Sequence, residues 1–141
     1  MIIIRNFLVL LMILCNINLY SQKKIFHTKP TTHKISIDGK LNEDEWKSVG
    51  TASEFLMYQP DNGKPISENK KTEVKIVYDN DAVYISAIMN DDEPNKIKKE
   101  ITNRDSFGVS DYFSVFINGF NDGQQDFRFY VTAAGVQLDC I

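Results

Sequence analysis

The stretch 72–89 constrains this chain more than any other. Thr72-Glu73-Val74-Lys75-Ile76-Val77-Tyr78 alternates, with Val74, Ile76 and Tyr78 on one face and Glu73 and Lys75 on the other. A period of two marks a half-buried strand, because successive side chains leave opposite faces of a sheet. Asp79-Asn80-Asp81 then turns the chain into residues 82–89, which are apolar on both faces. Together they predict a β-hairpin whose second strand sits centrally in a sheet.

Similar runs recur on either side. Residues 34–37 alternate and stop at Asp38-Gly39, and residues 54–58 are closed by Pro60-Asp61-Asn62-Gly63. Residues 112–117 form another strand-type run, followed by an Asn- and Gly-rich loop at 118–125. In 126–132, Phe127, Phe129 and Val131 oppose Asp126, Arg128 and Tyr130, and Ala134-Gly135 turns into a last run at 136–138. Between these, Asp91-Asp92-Glu93-Pro94 breaks the pattern, and residues 95–101 suit one or two helical turns with Ile97 and Ile101 on one side. Short strands at this spacing with so little helix predict an all-β fold, an antiparallel β-sandwich of jelly-roll type. The final run at 136–138 would leave an unpaired sheet edge, so the sandwich is expected to be C-terminally truncated.

Composition narrows the functions. Sixteen basic residues against nineteen acidic ones leave no cationic footprint for nucleic acid. Two cysteines support neither a disulfide scaffold nor a four-thiolate zinc site. His27 and His33 lie six apart in a polar lead and form no zinc spacing. Aromatic residues make up 11% of the chain, too many for a disordered segment.

Much of the aliphatic content is at the start. Arg5 is followed by an apolar run at 7–15, then by Asn16, Asn18 and Ser21 before the polar Gln22-Lys23-Lys24. A basic start, a short apolar core and a polar exit are the layout of a secretory signal peptide. The apolar run is well short of the ~20 residues that span a bilayer. Bulky Met12-Ile13-Leu14 ahead of Cys15 do not suit lipid attachment, so cleavage near Ser21 is expected. The organisation is therefore a signal peptide at 1–21, a polar lead at 22–32 and a β-domain at 33–141. Export implies the periplasm, the outer membrane or the extracellular space.

The segment Ile35-Ser36-Ile37-Asp38-Gly39-Lys40-Leu41-Asn42-Glu43-Asp44-Glu45-Trp46 reads as a strand, an Asp-Gly turn and a short helical turn. Asn42 is placed to cap that turn, with Glu45 as its reciprocal partner. Leu41 and Trp46 fold back on the sheet. This segment resembles the opening signature of carbohydrate-binding module family 9-like domains, an "IDG", an acidic cluster and a tryptophan. The resemblance continues through Thr72-Glu73-Val74, Tyr78-Asp79 and Val83-Tyr84-Ile85, then at Asp91-Asp92, Arg104-Asp105, Ser110-Asp111 and Gly135-Val136-Gln137-Leu138-Asp139. It covers about residues 33–139. It is nearest to the N-terminal module of exported Bacteroidota proteins in which a C-terminal domain of unknown function, expected to be a β-barrel, follows.

The resemblance implies a sandwich of about ten strands that binds polysaccharide or oligosaccharide ends of plant type, as a non-catalytic module serving carbohydrate catabolism. Flat aromatic rings suit the apolar face of a pyranose, and better-studied members use two tryptophans. Trp46, the single tryptophan here, belongs to the opening signature and is assigned to the core. Tyr58, Tyr84, Tyr112 and Tyr130 remain as platforms, with Tyr130 expected to be the most exposed because it opposes Phe127 and Phe129. Tyr130, Tyr84, Arg104, Asp111, Arg128 and Gln137 are the candidate ligand-binding residues. Family members also hold structural calcium, for which Asp91, Asp92, Asn118, Asp122 and Asp126 are the candidate ligands. No EF-hand loop, G-x-S-x-G elbow or phosphate-cradling glycine loop is present.

A second reading is a structural or docking sandwich beside its own missing C-terminal barrel domain, without sugar binding. A third is part of a glycoside hydrolase, which needs two facing carboxylates, one with a raised pKa. The carboxylates here all fall in turns or on polar strand faces, so no catalytic residue is assigned.

The export reading has a direct check. Produced in a secreting Gram-negative host, the exported chain should begin near Gln22 by intact mass, and recovery with Met1 retained would refute cleavage.

Overall fold

The computed structural model describes residues 24–141. The signal peptide assigned to 1–21 lies outside the described residues. Among the described residues the chain is all-β, with one five-residue helix and six strands in two small sheets. No described helix is long and apolar enough to cross a membrane.

The first sheet is built on the 72–89 hairpin. Strand β2 (Thr72–Tyr78) pairs antiparallel with β3 (Val83–Met89) in the register Val77↔Tyr84. Its turn is fixed by Asp79, whose Oδ1 accepts the backbone N–H groups of Asp81 and Ala82 while Oδ2 accepts the Tyr84 hydroxyl at 2.9 Å. On the other edge of β2, a two-residue strand β1 (Lys29–Pro30) runs parallel, so β2 is central and β3 is the edge. The expectation of a central second strand is thereby reversed. Lys29 and Pro30 fall in the stretch read as a polar lead at 22–32, and only the β2 carbonyls make them a strand. Thr31 N–H donates to the Tyr78 carbonyl at 2.7 Å, and the Thr28 hydroxyl donates to that of Ile76.

One core cluster lies under this sheet. Ile35, Trp46, Val49 and Val77 are buried together, with Leu41 and Tyr84 packed against them. Val77 shares its face with Glu73 and Lys75, so the face that looked polar carries the core. Trp46 comes from the helix α1 (Asp44–Ser48) and is 4% exposed. The expected Asn42 cap is absent. Glu43 occupies the capping position, and its carboxylate accepts the Ser36 N–H at 3.0 Å and the Trp46 indole N–H at 3.1 Å. These donors, Ser36 foremost, hold the Glu43 carboxyl below its ordinary pKa. Lys75 donates to the Trp46 carbonyl at 2.7 Å.

The second sheet is antiparallel. Strand β4 (Tyr112–Ile117) pairs with β5 (Phe127–Thr132), and β5 pairs with β6 (Gln137–Cys140). Three expected elements are reduced. Residues 34–37 form no strand and pair with none. Residues 54–58 contribute only the Leu56↔Pro65 bridge, and residues 95–101 hold a single 3-10 turn at Pro94–Lys96. The physical reason is common to all three. Each has the right local pattern, and none is joined to a full ladder, even where, as at Ile35, a side chain packs on the core.

Two measurements test this scaffold. Trp46→Ala should lower unfolding stability by about 3–5 kcal/mol in a urea titration followed by circular dichroism. The Asp79 carboxyl is held below its ordinary pKa by the Asp81 N–H, then by the Tyr84 hydroxyl and the Ala82 N–H. A lowered native pKa stabilises the fold above the unfolded value of about 4 and ceases to do so as pH falls through the native one. The Tm advantage of the wild type over Asp79→Asn should therefore shrink between about pH 5 and pH 2. A gap that stays constant over that range would refute the role given to Asp79.

Candidate functional site

Register divides the second sheet into two unlike faces. Partners opposite each other share a face, so Phe113, Val115 and Ile117 lie with Val131, Phe129 and Phe127. This apolar face turns toward the first sheet and lines a cleft of about 470 Å³ with Val83 and Ile85. The cleft is open, and Phe129 is left 48% exposed.

The opposite face carries Tyr112, Ser114 and Phe116 from β4, and Arg128, Tyr130 and Thr132 from β5. Tyr130 sits opposite Ser114, which leaves room for the two larger β4 rings to close on it diagonally. Its ring lies 5.8 Å from both Tyr112 and Phe116, edge-on to each. Phe107 arrives from the loop before β4 and completes the group, 4.9 Å from Tyr112 and 5.2 Å from Tyr130. Edge-to-face contacts at these separations are the favoured geometry for aromatic pairs.

The cluster remains open to solvent on its outer side. Tyr112 is 53% exposed and Phe116 55%, and Phe107 is more than a third exposed. At one end the Arg128 guanidinium lies 5.6 Å from the Phe116 ring centre, a cation–π placement. Arg128 Nε donates to Asp126 Oδ1 at 2.8 Å. That contact, chiefly its hydrogen bond, raises the Arg128 pKa further. The site is an aromatic floor with a cation and a carboxylate at its rim. It offers ring faces for apolar C–H surfaces and paired polar atoms for hydroxyl groups.

Tyr130 and Arg128 belong to this site. Tyr130 is half-buried at its centre, not the most exposed tyrosine, because Phe107 covers the face that alternation left free. Arg104 and Gln137 come together elsewhere, on the cleft rim at β6. There Arg104 Nη1 donates to Gln137 Oε1 at 3.2 Å and Nη2 donates to Asp139 Oδ1. The Tyr84 side chain is turned to the Trp46 core, with its hydroxyl on Asp79. Asp111 ties the chain together: its N–H donates to the Lys98 carbonyl, its Oδ2 accepts the Lys98 N–H, and its carbonyl accepts the Ala133 N–H.

The candidate calcium ligands fall into two separate groups, each occupied with protein donors. Asp92 accepts from Asn69 and faces Lys70, and the Asn69 hydrogen bond leads in lowering its pKa. Asp91 accepts the Glu93 N–H. Asp122 accepts the Gln124 N–H, which is the main cause of its own lowered pKa, and Asp126 is taken by Arg128. Among the described residues no three His, Cys, Asp or Glu side chains gather as a metal-holding group.

Phe107 and Phe116 were not singled out from sequence. Phe116 carried a usable signal, since it is four residues from Tyr112 and therefore on the same strand face. Phe107 carried none, because a loop delivers it.

No protein-family model, curated protein or solved structure matches this chain.

Proposed function

We propose that the chain is a non-catalytic carbohydrate-binding module of an exported protein, with the outer aromatic face of the second sheet as its sugar platform. One observation carries this: Phe107, Tyr112, Phe116 and Tyr130 form a single cluster that stays open to water, beside the Arg128–Asp126 pair. A pyranose presents an apolar C–H face and an equatorial rim of hydroxyls. The rings suit the first, and the cation and carboxylate suit the second. The ordered motifs shared with family 9-like domains support the same class of ligand, ends of plant-type polysaccharides. They also support reading the two sheets as the halves of a jelly-roll sandwich at 33–141.

The cleft between the sheets favours a second reading, a docking sandwich. Its apolar walls at Phe129 and Val131 are solvent-exposed, as an unfilled contact surface would be.

Affinity electrophoresis through xylan and hydroxyethylcellulose gels, followed by calorimetry with xylo- and cello-oligosaccharides, separates the two. The sugar reading expects retention, and Tyr112→Ala or Phe116→Ala should weaken it about tenfold while the circular dichroism spectrum is unchanged. No retention by any of these polymers would falsify the platform and leave the docking sandwich.

A further inference from the structure

Strand β4 leaves the aromatic platform at Ile117 and enters the loop at 118–126, where a second concavity opens. The loop is shaped by its own side chains. Asn118 Oδ1 accepts the Phe120 N–H at 3.1 Å, and Asp122 Oδ1 accepts the Gln124 N–H at 2.9 Å. Asn121 and Gly123 take left-handed backbone conformations, with φ of 53° and 69°, as tight turns require. The resulting pocket, about 370 Å³, is lined by Phe116 and by Asn118, Gln124, Gln125, Asp126 and Arg128.

Phe116 belongs to both concavities, since it lines the pocket and its ring lies 5.8 Å from Tyr130 in the platform. The side-chain amides of Gln124 and Gln125 meet no hydrogen-bond partner among the described residues, and an amide both donates and accepts. Arg128 gives only its Nε to Asp126, which leaves both terminal nitrogens without an acceptor among the described residues. Asp126 and Arg128 are the two charged residues of the lining and are paired at 2.8 Å, so the walls carry no net charge. One ring face, several two-way hydrogen-bonding groups and no net charge suit a neutral, hydroxyl-rich ring. A ligand carboxylate would put a second negative charge beside Asp126 on the same cation.

We propose that this pocket is a second sugar subsite, which takes one neutral pyranose unit while the adjoining unit of the same chain lies on the platform rings. The inference rests on the sugar reading above and extends it from one unit to two. Gln124, Gln125 and the terminal nitrogens of Arg128 bond the hydroxyl edge of that unit, and Phe116 meets its C–H face. The paired subsites select neutral disaccharide units over units that carry a uronic acid.

The test titrates cellobiose and xylobiose into the full, isotope-labelled chain. The side-chain amide resonances of Gln124 and Gln125, identified by their loss in Gln124→Ala and Gln125→Ala, should move as sugar is added. By calorimetry, the double variant Gln124→Ala/Gln125→Ala should bind either disaccharide about tenfold more weakly, with an unchanged circular dichroism spectrum. Its retention on xylan should fall without being lost, because the platform rings remain. A disaccharide with one glucuronic acid unit should bind the wild type about threefold more weakly than its neutral counterpart, a gap that added salt narrows. Disaccharide binding that leaves both amide resonances in place and the double variant unimpaired overturns the subsite and leaves the platform standing. Equal or tighter binding of the uronic acid disaccharide overturns the selection for neutral units. Failure of the sugar reading is distinguishable from both, since the wild type would then bind no disaccharide and no polymer would retain it.

Discussion

The clasp between Glu43 and Trp46 holds the first half of the structure together. A tryptophan buries more apolar area than any other side chain, but its indole N–H must find an acceptor when water is removed. Glu43 provides that acceptor, and its second oxygen takes the Ser36 N–H. One carboxylate thus fixes the helix start, the tryptophan ring and the approach of residue Ile35 to Val77. Lys75 closes the arrangement from the sheet by donating to the Trp46 carbonyl. Lys75, a charged residue on the polar side of β2, thereby lies against the core.

The second sheet contributes no residue to that core cluster. Its two faces are both aromatic and both partly wet, for opposite reasons. The inner face is wet because the cleft it shares with the first sheet is wide. The outer face is wet because Tyr112 and Phe116 stay more than half exposed although Phe107, from a loop, packs on Tyr112 and Tyr130. The inner face is a packing surface without enough to pack on, whereas the outer face has hydrogen-bonding groups arranged around its rim.

Alternation in β2 and β5 and apolar, strand-type runs in β3 and β4 made these four legible to within a residue or so, because each carries its signal in its own side chains. The role of β3 was not legible. An all-apolar run suits a strand with neighbours on both sides, yet β1, a pair of residues with no strand pattern, takes the place beside β2. That pairing depends on backbone carbonyls, which have no sequence signature. Residues 34–37 erred the other way: their pattern is good, but a strand exists only where a partner does. At the candidate site, alternation put Tyr130 on one face with Arg128, while the exposure of Tyr130 was misjudged because Phe107 crosses from a loop. Asp111 and Arg104, also expected at the ligand, hydrogen-bond within the chain to Lys98 and Gln137.

The parallel pairing of β1 also sets an order in time. The β2–β3 hairpin closes over a turn of a few residues, an event of roughly microseconds. Lys29 meets Val77 only after 48 intervening steps of chain are drawn in, including the helix that carries Trp46. Loop-closure entropy must be met before that contact gives anything back. The hairpin is therefore the template and β1 the late arrival. During synthesis, the residues that emerge first among those described are the last of their sheet to find their place.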